Sequence, residues 1–186
     1  DAPLHTRVRK AIAGALSPRA IAGMDVVVGQ LVDRLLDDMA ARQANGKPID
    51  AVADFAQNIP IEVIGNLLAI PRAERDPLRD LSLAILGALE PEINDAQFDA
   101  GEAAVRDFLA YLQALVARRR AEGVENASDI MARLIRETGA AGEDANLLPH
   151  ELLQNCSFIL NAGHETTTNL ICSGIWLLSQ LPDKVA

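Results

Sequence analysis

The chain has 186 residues, 49% of them hydrophobic but only 3% aromatic, so a core must be built from Leu, Ile, Val and Ala. That is enough for one domain of ordinary size, and an alanine-rich, strand-poor mixture favours helix packed on helix. A net charge of −9, with no basic run interleaved with aromatics, argues against nonspecific binding to nucleic acid or anionic membrane.

Residues 4–15, after Pro3, are expected to be helical, with Ser17–Pro18 as cap and first turn of the next helix. Apolar residues from Ile21 to Met39 recur at a 3.6-residue period, which predicts one helix over 18–44, ended by a turn at "NGKP" (45–48). A short extended piece near Ile49 and a helical turn should follow. "PIEVIGNLLAIP" (60–71) is a compact helix bounded by prolines. Residues 72–89 give one or two helices and 90–97 a polar connection. Residues 98–122 give a long amphipathic helix whose "RRR" at 118–120 complements the helix dipole. Asp129 begins a short helix to Glu137, and "TGAAGEDANLLP" is a loop. The last helix runs from about Pro149 to Leu181, roughly 48 Å, and Pro182 stops it. There is no internal repeat and no convincing sheet, so the fold class is all-α.

Cys156 and Cys172 both fall in apolar helical patterns, as structural thiols in a reducing, cytoplasmic setting would. Asn155, Asn161, His164, Glu165 and Asn169 make the apolar stretch 152–181 too polar for an ordinary bilayer span. The opening "DAPLHTRVRK" is polar, is not a signal peptide and lacks an initiator methionine. Both ends read as cuts through something larger.

Inside the last helix stands "FILNAGHETTTNL" (158–170), where poor helix formers gather around a carboxylate. The Thr166 hydroxyl can reach back to the Ala162 carbonyl, a bond that bends helices. Gly163 would leave space beside that bend, and Glu165 would place a carboxylate next to it. The stretch reads as a polar notch suited to moving protons near a bound small molecule. The bland reading is back-bonding threonines and a solvated glutamate. "HETTT" has Thr168 where a zinc H-E-x-x-H site needs histidine, so a metal site is rejected.

"AGHETT" (162–167) resembles the [AG]-G-x-[DE]-T-[TS] pattern of the central distal helix of cytochrome P-450 monooxygenases. "DAPLHTRVRKAIAGALSPRAI" is similar to that family's bacterial D-P-P-x-H-x-x-x-R helix and F-[ST]-P turn. "IPIEVIGNLLAIP", "ASDIMARLI" and "LLPHELLQNCSFILNAGHETTTNLICSGIWLLSQLPD" follow in family order. The resemblance covers nearly all of the chain. It implies the central helical part (1–186) of a soluble, bacterial-type P-450 domain, without the opening sheet segments. The E-x-x-R pair and the F-x-x-G-x-x-x-C-x-G loop, whose cysteine holds the haem iron, do not occur in these residues.

By the resemblance, His5 and Arg9, four apart on one helix face, contact the haem propionates; alone they would read as a solvated basic face. Ala162 and Gly163 lie over the haem, and Thr166 and Glu165 deliver protons to the oxygen bound there. Phe158 and Asn161 face the substrate, Asn161 where an apolar residue is more usual. The segments around 81–98 form a lid, and Arg7 and Lys10 receive an acidic ferredoxin. The implied reaction inserts one oxygen atom from dioxygen into an apolar small molecule, with NAD(P)H-derived electrons arriving through redox partners. The 186-residue chain alone is expected to be inactive for want of the ligand cysteine. Two readings stand beside this one: a truncated, haem-free helical module that self-associates, and a helical sensor domain without catalysis.

Overall fold

The computed structural model describes residues 2–16, 18–127, 129–139 and 147–181. The cap expected at Ser17, Ser128 of "ASDIMARLI", the middle of the 138–149 loop and the stop at Pro182 lie outside the described residues. Among the described residues there are eight α-helices and no strand, only an isolated bridge between Thr138 and Leu147. No helix among them is long and apolar enough to cross a membrane.

Helix α1 (Leu4–Ala15) has the expected bounds. The helix expected over 18–44 is instead two, α2 (Pro18–Ile21) and α3 (Met24–Ala44), parted at Ala22–Gly23. Glycine holds helical geometry poorly, and here it stands at the N-cap of α3. The extended piece expected near Ile49 is present at Asp50 (φ −106°, ψ 108°), outside any strand among the described residues. Asp50 accepts from the amides of Val52 and Ala53 and opens a π-helical turn, Ala51–Ala56.

Helix α4 (Asn58–Leu67) starts two residues before Pro60, a first-turn position where the missing amide costs nothing. The chain leaves it through Ala69, whose φ of 51° lies in the left-handed region. Buried Arg75 then ties the connection together. It donates to the Ile70 carbonyl from Nε (2.9 Å) and Nη2 (2.8 Å), to Asn66 Oδ1 (2.9 Å) and to Glu62 Oε2 (2.8 Å). A 3₁₀ turn (Arg72–Glu74) leads to α5 (Leu78–Gly87).

Helix α6 (Asp95–Glu122) begins earlier than its hydrophobic pattern, because Asn94 and Gln97 form a reciprocal capping box. Glu74 accepts Tyr111 Oη at 2.7 Å and both Arg118 amino groups at 2.9 and 2.7 Å, clasping the 3₁₀ turn to α6. Those bonds hold the Glu74 carboxyl down at about 2. Helix α7 (Ile130–Arg136) is capped by Asp129, which accepts from the Ala132 amide at 2.8 Å.

Helix α8 (Pro149–Ser179) crosses the molecule, and α4, α5 and α6 all pack along it. Phe108, Leu112, Leu115, Met131, Leu134, Leu152 and Leu160, all at most 2% exposed, fill the centre.

Candidate active site

An α-helix turns 100° per residue, so residues three or four apart share a face. On α8, Phe158, Ala162, Thr166, Asn169, Ser173 and Trp176 form one exposed stripe. Leu160, His164 and Thr168 form the opposite, buried one. The motif therefore shows its alanine and threonine outward, with Glu165 half-buried at the margin.

Thr166 Oγ1 donates to the Ala162 carbonyl at 2.7 Å, as its spacing predicts. Helix α8 remains α-helical across this turn, with no π or 3₁₀ interruption. A carbonyl oxygen has two lone pairs and can accept a side-chain proton beside the ladder amide. The bond commits the hydroxyl proton to the backbone, so its lone pairs face the exposed side. Glu165 makes no hydrogen bond or ion pair with any described residue.

Gly163 has a different role from the expected one. A Cβ built on it would lie 3.0 Å from Cδ1 and 3.4 Å from Cγ1 of Ile64, so the residue admits α4 rather than leaving open space. Asn161 is turned about 60° from Phe158. Its amide group donates to the Ser157 carbonyl at 3.0 Å, and its buried Oδ1 has no partner among the described residues.

A cleft of about 730 Å³ opens between α1 and α8. His5 and Arg9 line one wall and Phe158, 65% exposed, the other. The cleft thus gathers three residues singled out from sequence, drawn from opposite ends of the chain. Leu4, Val8, Ile12, His150, Gln154 and Asn155 also line it, and nothing in their spacing announces this.

Arg7 is not a free docking cation. It donates to both carboxylate oxygens of Glu151, at 2.8 and 2.5 Å, and binds α1 to the start of α8. That pairing is the chief cause holding the Glu151 carboxyl below its usual range, against the opposing effect of burial. Glu151 also accepts from the Leu148 amide at 2.8 Å, so one residue caps α8 and anchors α1. Cys156 is buried and its thiol is pushed up to about 12 by desolvation, which suits an inert core residue. Cys172 is likewise free, in a half-buried position.

A larger cleft of about 850 Å³ lies between α3, α4 and the α4–α5 connection. No motif residue lines it, and much of its charge is internally paired, Arg42 with Asp54 and Arg72 and Arg75 with Glu62. The α1–α8 cleft is the better site because Phe158, one turn before Ala162 on the exposed stripe, lines it.

No family model matches the chain. Among curated proteins, it is 34% identical over 187 residues to Cytochrome P450 107B1 of Saccharopolyspora erythraea, covering 100% of this chain and 42% of that protein. Among solved structures, the LnmA cytochrome P450 hydroxylase of Streptomyces atroolivaceus S-140 matches with a TM-score of 0.81 and 29% identity, over 100% of this chain and 44% of that one. P450BioI, solved with an acyl-ligated acyl carrier protein, matches in fold with a TM-score of 0.85 at 24% identity, over 100% of this chain and 45% of its own. The chain spans less than half the length of these relatives. In sequence and fold it matches a portion of the bacterial cytochrome P-450s.

Proposed function

We propose that this chain is the central helical portion of a soluble, bacterial-type cytochrome P-450. The whole enzyme inserts one oxygen atom from dioxygen into an apolar small molecule, and the second oxygen leaves as water. The observation that carries this reading is the gathering of Phe158, which heads the exposed stripe continuing to Ala162 and Thr166, with His5 and Arg9 on one cleft. The donor set fits a haem: a flat apolar group needs a small-residue face, which Ala162 would provide, and its carboxylates need hydrogen-bond donors, which Arg9 and His5 would provide. A haem bound there, with its iron ligand supplied by a cysteine of the longer parent chain, would supply dioxygen activation.

The residues of this chain position and protonate. The outward lone pairs of Thr166 can accept a hydrogen bond from water on the exposed face, held in place because its own proton is spent on Ala162. Glu165, uncommitted and half-buried at the margin, can pass protons from solvent to that water. Phe158 offers an apolar wall to substrate, whereas Asn161 stands outside the cleft lining with its Oδ1 buried on the His164 side of α8. Gly163 acts indirectly, by letting α4 seat against α8. The segments around 81–98 close over the pocket. NAD(P)H-derived electrons arrive through a ferredoxin-type partner in the cytoplasm, and Lys10 rather than Arg7 is free to meet it.

The test is an absorption spectrum with haem, reductant and carbon monoxide. The intact enzyme should give a thiolate-type Soret band, and the 186-residue chain should not. A thiolate-type band from the chain alone would overturn its assignment as the ligand-free portion.

A further inference from the structure

The motif's histidine faces away from the site. His164 lies about 200° round α8 from Ala162, is 2% exposed, and its Nδ1 has no hydrogen-bond partner among the described residues. Asn161 and Thr168 lie on the same side of α8. Helix α5 is among the elements packed on α8. Its Ala84 and Ala88 face α6 at Gly101. Ser82, two residues earlier, is turned away from α6 to the side packed on α8; it is fully buried, with Oγ unpartnered among the described residues. Arg79, one turn before Ser82, is exposed and pairs with Asp80 at 3.5 Å, and its charge also disfavours a protonated His164.

We propose that His164 is a proton-operated clamp: neutral, it lets α5 lie against the long helix, and protonated, it drives α5 away. A buried imidazolium without a hydrogen-bonding anion is costly, and a neighbouring guanidinium raises that cost. The other packed elements offer no compensation. From α4 the group facing this stretch is apolar Ile64, while Glu62 turns to Arg75. From the π-helical turn, Asp54 pairs with Arg42. The buried face of α6 is Gly101, Ala104, Phe108 and Leu112. On α8 itself, Glu165 is next in sequence but lies at the margin of the exposed stripe.

Burial, then Arg79, hold His164 below its ordinary value. The open form therefore binds a proton more readily than the closed one, and closure weakens as pH falls from about 6.5 towards the depressed value. The inference rests on helix packing and stands apart from the monooxygenase reading, under which α5 belongs to the lid.

Hydrogen–deuterium exchange of the intact protein, at about pH 7.5 and about pH 5.5 and corrected for intrinsic rates, tests it without haem or turnover. Amides of Leu78–Gly87 should exchange up to about tenfold faster at the lower pH, because opening takes up one proton. Amides of α7 should not. His164→Leu and His164→Gln should abolish the difference. No acid response in α5, an equal response in α7, or a response that survives both substitutions would overturn the clamp. Should neither variant fold, the contrast between α5 and α7 in the wild type decides.

Discussion

Thr166 and Arg7 show what a residue's own neighbourhood discloses. The bond from Thr166 to Ala162 spans four residues of one helix, so the sequence suffices to place it. The helix stays α-helical through this turn because the Ala162 oxygen can serve a hydroxyl beside the ladder amide. Arg7 was legible only as a basic residue on a helix, since its partner Glu151 lies 144 residues away and no local pattern points to it. The Arg7–Glu151 pair gives an acid-sensitive tie. A carboxyl depressed on folding adds stability above its ordinary value, and that stability is lost as pH falls through the depressed one. Thermal unfolding should show Glu151→Gln melting about 2–4 °C lower at pH 7. The variant should also lose less further stability than wild type below about pH 4.5. Parallel pH profiles would remove the tie.

Among the elements, those with strong periodicity or a cap were legible in outline: α1, α7 and α8 nearly to the residue, α6 except for its box-capped start. What escaped was set by packing or by local backbone chemistry, as in the π-helical turn opened by Asp50 and the parting of α2 from α3. Gly163 is the clearest case. Sequence shows a small residue in a helix but not which neighbour uses the room, and the neighbour is Ile64 of α4. Gly163→Ala should cost about 1 kcal/mol by overpacking, and Ile64→Val about 1 kcal/mol by losing Cδ1. Because that Cδ1 is the atom in the way, the double variant should cost clearly less than the sum in denaturant unfolding. Additive costs would place the close approach elsewhere.

For the whole molecule, the all-α class followed from composition and period, while the α1–α8 cleft required the fold, because it joins residues about 150 apart in sequence. Of the motif, Ala162 and Thr166 face outward, whereas Gly163 admits Ile64 of α4 and His164 is buried. One short sequence thus presents two sides of one helix, Ala162 and Thr166 outward and Gly163 and His164 inward among the scaffold.

The central claim is that the outward face of α8 governs where reducing equivalents go, and the yield of product per NAD(P)H consumed by the intact enzyme tests it most directly. Thr166→Ala should keep consuming NAD(P)H while product yield falls several-fold and hydrogen peroxide rises to match. A variant that folds, binds haem and retains the wild-type yield would contradict the role assigned to Thr166 and the account built on it.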